Sequence, residues 1–256
     1  MKGLIYREFY LSRKAVVYML LFYVIFVLMI TMIIISTYAG NLAKSDSSAE
    51  TREYLLSQMY LFAGLIAMAG CTYGHNDLIE KDYKSRWQLY SYTLPVPEKK
   101  IILSKLTVRI TLLLSGFVLA IIAEFIFSAA GKVPASMEHF KNIFVMMCIY
   151  GAMCIADIPY LLIMKTQNKG AAFVMIFFVP LTAAIIYGAY KFTKFCSAEA
   201  ARLYPDMEGD AGMMKVAMPY ITKWRDIFLW ASPFILIGAI MIAYFWGIKE
   251  LKRRRY

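Results

Sequence analysis

Apolar residues in this chain gather in long unbroken blocks separated by short polar stretches. Six blocks stand out, at residues 15–38, 55–75, 106–130, 142–164, 171–190 and 227–248, each rich in Leu, Ile, Met, Phe and Ala. None alternates with the period of two that marks a membrane barrel strand. About 20 such residues in a helix cross about 30 Å of hydrocarbon. The pattern therefore predicts an all-α integral membrane fold of six transmembrane helices in a single domain, 1–256. Residues 1–14, MKGLIYREFYLSRK, follow a different rule. At about 100° per residue, Met1, Leu4, Ile5, Phe9 and Leu11 share one half of the helical wheel. Lys2, Arg7, Arg13 and Lys14 take the other half with Tyr6 and Tyr10. This predicts an N-terminal amphipathic helix lying in the membrane interface.

Composition supports the same class, since 61% of the 256 residues are hydrophobic, too many for a water-soluble domain of this size. The net charge of +11 sits between and beyond the apolar blocks, so it points to lipid headgroups and orientation, not to nucleic acid. Basic residues number 17 on the side of both termini, against 10 on the other, with Arg109 inside a span. Both termini are therefore expected in the cytoplasm, and residues 191–226 form an external loop. Cys71, Cys148, Cys154 and Cys196 make no disulfide framework, and neither they nor His75 and His139 fall at metal-ligand spacing. The apolar run from Ala15 is too long for a cleavable signal peptide.

The connection between the second and third blocks is the most unusual stretch. A turn between helices needs about 2–8 residues, yet NDLIEKDYKSRWQLYSYTLPVPEKK fills 76–100. Asp77 to Tyr92 has the pattern of one short amphipathic helix. Pro95 and Pro97 then stiffen the chain and extend Leu94 and Val96. Trp87, Tyr90, Tyr92 and Leu94 are large apolar groups ringed by charge, which is the make-up of a protein docking site.

Here the chain resembles the permease subunits of ABC-2-type transporters. The resemblance rests on the basic start MKGLIYREFYLSRK, the six spans and above all LPVPEKKIILSKL, where Leu94, Pro95, Val96, Lys99, Ile102, Ser104 and Lys105 match the family signature. Pro97 and Glu98 depart from it. The nearest likeness is to short bacterial permeases, among them exporters of amphipathic peptides such as phenol-soluble modulins. The resemblance implies a multi-pass protein of the bacterial plasma membrane that exports an amphipathic peptide or other hydrophobic cargo. It implies a second permease copy or a homologous permease, and two copies of a cytoplasmic ABC ATPase. ATP and magnesium would then be bound by the ATPase, with no cofactor in this chain. ATPase coupling falls by analogy to Glu80, Lys81, Asp82, Arg86, Trp87, Tyr90, Leu94, Pro95, Val96 and Lys99. The same analogy places an external helical hairpin at the outer gate and the first, second and fifth helices at the central interface. No GxxxxGK[ST] run is present to cradle ATP phosphates, so the chain is expected to be a transport subunit and not itself an enzyme.

Three ionisable residues fall inside the blocks, where a charge costs about 2.5–3.5 kcal/mol at the bilayer centre. Arg109 and Asp157 lie about 6 and about 10 Å from the cytoplasmic end at a rise of 1.5 Å per residue, which predicts an intramembrane Arg109–Asp157 pair. Glu124 lies near the outer end of its span. Pro159, Pro180 and Pro233 are candidate hinges, with Pro233 the mildest, close to its helix start. The external loop reads as short helices around 197–204 and 211–223, separated by PDMEGD, with an apolar patch at Met213, Met214, Val216, Ala217 and Met218. An ion-coupled carrier predicts inverted repeats, and an intramembrane enzyme predicts paired His, Glu or Asp on facing helices. Neither pattern stands out.

Overall fold

The computed structural model describes residues 2–39, 49–84, 96–132, 134–163, 167–204 and 209–255. Among them are six helices and no strand: α1 Lys2–Ala39, α2 Ala49–Lys84, α3 Glu98–Gly131, α4 Met137–Ile163, α5 Gln167–Leu203 and α6 Gly209–Arg255. Each expected apolar block falls on its own helix. Five stretches are long and apolar enough to cross a membrane: Lys2–Ser36, Leu56–His75, Glu98–Gly131, Met137–Pro159 and Lys215–Arg253. The block expected at 171–190 lies on α5, partly among side chains outside the described residues.

The helices outrun the apolar blocks. No break separates residues 2–14 from the first span, so this segment forms the first turns of α1, not an independent helix. The second helix continues past its span to Lys84, which merges the first part of the expected short helix at 77–92 with the membrane helix. The two short helices expected in the external loop are likewise the end of α5 and the start of α6. The reason is common to all three. Hydropathy marks where lipid ends, whereas a helix ends only where backbone hydrogen bonding is interrupted.

The chain divides into two units, Met1–Ile163 with Ser232–Tyr256, and Met164–Ala231. In the first unit, α2 lies along α3, with α1 packed on both and α4 completing the bundle. Tyr23, Val27, Ile30 and Ile34 repeat at three and four residues, so one stripe of α1 is buried. It meets Tyr60, Ala63, Ala67 and Met68 of α2, and Leu113, Ala120, Ala123 and Phe127 of α3. Small residues set the α2–α3 spacing, as expected where lipid supplies no hydrophobic drive between helices. A Cβ on Gly116 would stand 2.6 Å from Met68 Cα and 2.9 Å from the Ala67 carbonyl oxygen, so the two backbones are nearly in contact.

The helix ends follow local chemistry. Pro97 caps α3 in an extended conformation (φ −60°, ψ 140°), and its carbonyl accepts the Lys100 amide at 2.9 Å. At the other end Lys132 turns left-handed (φ 53°) and donates its N–H to the Ser128 carbonyl. The Ser136 hydroxyl accepts the Glu138 amide at 3.3 Å and starts α4. This tight connection returns α4 antiparallel to α3 and brings His139 opposite Glu124.

A second core joins Ile101, Ile102 and Leu106 of α3 to Ile155 and Ile158 of α4, and to Ala243, Ile248 and Leu251 of α6. Leu4 and Val96 pack against it. In the second unit, the Phe192 and Phe195 rings of α5 meet Tyr220 of α6 edge-on at 6.1 and 6.0 Å. Cys196, Ala200 and Ala217 are buried there, while Met218 is exposed. These contacts pair the end of α5 with the first part of α6.

Candidate functional site

Three helices converge on a buried polar cluster at the end of the bundle where α1 begins. Residues spaced three or four apart share a helix face, and that spacing supplies its members: Glu8 and Ser12 on α1, Thr72 and His75 on α2, Lys105 and Arg109 on α3. The Glu8 carboxylate is the hub. Its Oε1 accepts from Lys105 Nζ at 3.0 Å, with Arg7 Nη1 at 3.4 Å. Its Oε2 lies 3.2 Å from His75 Nε2, off the axis of a good hydrogen bond. On its other side the imidazole accepts from Arg109 Nε, with His75 Nδ1 at 3.0 Å. A guanidinium only donates, so Nδ1 must carry the lone pair and Nε2 the proton, which faces Glu8. Protonating His75 twice would break its bond to Arg109.

Burial makes these contacts consequential. His75 and Arg109 are 0% exposed and Glu8 3%. A buried ion pair is not by itself a net gain, but removing one partner costs about 3–5 kcal/mol. Next to the cluster, the Thr72 hydroxyl bonds the Met68 carbonyl at 2.9 Å and the Tyr150 hydroxyl of α4 at 2.9 Å. Cys154 Sγ stands 3.9 Å from the same oxygen.

The expected Arg109–Asp157 pair takes a different form. Arg109 gives its hydrogen bond to His75, and among the described residues its Nη1 and Nη2 have no hydrogen-bond partner. Half-buried Asp157 lies about one turn beyond Cys154 on α4 and makes no ion pair with Arg109. Matching depths along two helices do not set the rotation of each helix about its axis, and here α2 stands nearest the guanidinium Nε.

The opposite end holds a smaller polar pair. His139 Nδ1 and Glu124 Oε1 are 2.7 Å apart and buried, and the Tyr60 ring lies 5.8 Å from the imidazole. Glu124 is thus buried and tied to α4. Both histidines, unremarkable by motif, turn out to be cross-helix partners of glutamates. A usable signal was present: Glu8, His75 and Lys105 each stand at the same end of one of three antiparallel helices. Among the described residues, no three His, Cys, Asp or Glu side chains gather to hold a metal, and the four cysteines are free thiols.

Of the coupling residues, Val96 packs into the second core and Lys99 is exposed on the first turn of α3. Glu80, Lys81 and Asp82 lie on the last turns of α2, with their side chains outside the described residues. Arg86, Trp87, Tyr90, Leu94 and Pro95 fall wholly outside them. Among the candidate hinges, Pro159 is buried inside α4 and Pro180 is exposed inside α5. Pro233 is not near a helix start, because α6 begins at Gly209. Its missing amide therefore falls in a helix interior, where a proline bends most.

Helices of membrane-spanning length, bound by small residues and by polar clusters at each end, define a multi-pass α-helical membrane protein. A family model described as ABC-2 family transporter protein matches residues 3–252. The match covers nearly the whole chain, and the chain belongs to that family of transporter membrane subunits. No curated protein matches the chain, and no solved structure does.

Proposed function

We propose that this protein is the permease of an ATP-driven exporter and pairs with a second permease to enclose the pathway. A separate cytoplasmic ATPase, in two copies, binds ATP and magnesium. The observation that carries the reading is the family match across residues 3–252. Two further facts support it. The chain contains no phosphate-cradling loop of its own. Val96, next to Pro97 at the start of α3, also packs among core residues of three helices. Force delivered by the ATPase to Arg86–Val96 then enters the bundle through that side chain. All six helices span the membrane in this reading, with both termini in the cytoplasm as the basic residues favour. The cargo is an amphipathic peptide or other hydrophobic molecule.

The test is co-expression with an ATPase encoded beside the permease, followed by purification and reconstitution in proteoliposomes. A stable complex is expected whose ATP hydrolysis rises with one cargo class from a panel of peptides, lipids and hydrophobic drugs. Cargo movement that is driven by a proton or sodium gradient without ATP would overturn the proposal and favour an ion-coupled carrier.

A further inference from the structure

Arg109 is the least satisfied large polar group in the bundle. It is fully buried, Nε is bonded to His75, and among the described residues the two terminal nitrogens have no hydrogen-bond partner. Unpaired N–H groups on a buried guanidinium are costly. Cys154 Sγ of α4 lies 3.9 Å from Thr72 Oγ1 of α2, and Asp157 follows Cys154 by three residues as His75 follows Thr72, so a second acceptor stands about one turn along α4 at the level of the guanidinium. His75 and Asp157 sit on different helices, α2 and α4, and Arg109 on α3 reaches toward both. His75 is held in place by the Glu8 carboxylate, itself anchored by Lys105. Asp157 is half-buried and, among the described residues, makes no hydrogen bond or ion pair. One acceptor is therefore held by a partner among these residues and the other is not.

We propose that Arg109 is the shared member of a two-position charge latch between α2 and α4. In the arrangement described here it is held by the Glu8–His75 side. In the alternate arrangement α4 shifts and Asp157 takes the guanidinium directly. The latch deepens the transport reading, giving the bundle two defined arrangements in place of a continuum of bends. Pro159 lies two residues beyond Asp157 on α4, where the missing amide eases the shift.

Thr72 Oγ1 lies 3.9 Å from Cys154 Sγ, so a cysteine at 72 reports the α2–α4 distance against a native thiol. The experiment uses the full-length permease alone in lipid nanodiscs, with Cys71, Cys148 and Cys196 replaced by alanine and Thr72→Cys added. Disulfide formation under mild oxidant is followed by tryptic peptide mass. Asp157→Asn removes the competing charge and is expected to raise the rate. His75→Ala releases the guanidinium and is expected to lower it about tenfold, the weight of one charge-assisted hydrogen bond. His75→Asn, which keeps an acceptor near Nδ1, should retain most of the rate. In an Arg109→Ala background these differences should vanish. A merely structural role for the cluster predicts shifts of the same sign for Asp157→Asn and His75→Ala, and either that result or an unchanged rate in Asp157→Asn overturns the latch. Asp157 is half-buried, so its asparagine variant keeps the test decisive even where His75→Ala fails to fold. Because no ATPase is present, failure here leaves the exporter reading standing, and failure to find an ATPase leaves this result unaffected.

Discussion

Replacing Gly116 with alanine is the sharpest test of how α2 and α3 are joined. The new Cβ would stand 2.6 Å from Met68 Cα, 2.9 Å from the Ala67 oxygen and 3.0 Å from the Met68 nitrogen. Carbon atoms in contact prefer about 3.5–4.0 Å, so the helices must part by about 1 Å. All three obstacles are backbone atoms, and no side-chain rotation relieves them. Parting the helices also loosens Ala63, Ala67, Ala120 and Ala123 along the seam, since a gap of about 0.5–1 Å forfeits a quarter to a half of a dispersion contact. Overpacking of this kind costs about 1–3 kcal/mol. Gly64→Ala is the control. There the new atom would meet the tip of the Ile143 side chain, which can turn aside, and Ala120 Cβ at 3.4 Å, an ordinary contact. Gly238→Ala meets nothing within 4 Å and should be neutral or slightly stabilising. Thermal unfolding of the purified protein in one detergent should rank Gly116→Ala lowest, then Gly64→Ala, with Gly238→Ala at or above the parent. At about 2–4 °C per kcal/mol, the first loss is several degrees. A Gly116→Ala variant as stable as the parent, or one more stable than Gly64→Ala, would refute the close-backbone argument.

The other predictions follow the polar clusters and Val96. Glu8→Gln strips the hub of its charge and should cost about 3–5 kcal/mol in the same melting assay. Adding Lys105→Met should recover most of that loss, and no recovery would show that the pair is not the cause. His139→Phe keeps a ring against Tyr60 but drops the 2.7 Å bond to Glu124, at a cost of about 1–3 kcal/mol. An unchanged melting temperature would remove that pair from the account of the α3–α4 hairpin. Val96→Ala takes about 1 kcal/mol of apolar contact from the second core and leaves the fold intact. In the reconstituted exporter it should lower cargo moved per ATP hydrolysed, and an unchanged ratio would mean that force enters elsewhere.

The fold class was legible from hydropathy alone, because a lipid-facing helix must satisfy its backbone internally and be apolar for about 20 residues. Blocks of that kind mark α1 to α6 without reference to any partner. The helix ends were not legible, because Arg7, Lys81 and Arg202 are as compatible with helix as the apolar residues before them. Helix pairing was harder still. Asp157 and Arg109 matched in depth, yet His75 receives the guanidinium's hydrogen bond, and Glu8 went unread inside a segment whose charges suggested headgroup contact. What decides such contacts is the rotation of each helix about its axis, and small residues such as Gly116 set it by allowing only one close approach.

The two polar tiers and the small-residue seam divide the work of holding the bundle. In lipid, apolar side chains gain little by facing another helix, and much of α1 accordingly stays exposed, from Tyr18 and Leu21 to Met32 and Ile33. Cohesion must come from dense packing at the centre and from polar groups with no water to turn to at the ends. Glu124–His139 ties α3 to α4 at one end, and Glu8 with Lys105 and His75 ties α1, α2 and α3 at the other. Val96 precedes α3 beside the second tier, about two turns before Lys105. A push there meets helices already pinned to one another, so α1, α2 and α3 should move as one body. α4 meets that end through the Thr72–Tyr150 hydrogen bond and the second core, while its Asp157 stays outside the Glu8 ion pairs. A push on α1 to α3 therefore reaches α4 through one hydrogen bond and apolar contacts, which yield by smaller steps than a buried charge pair.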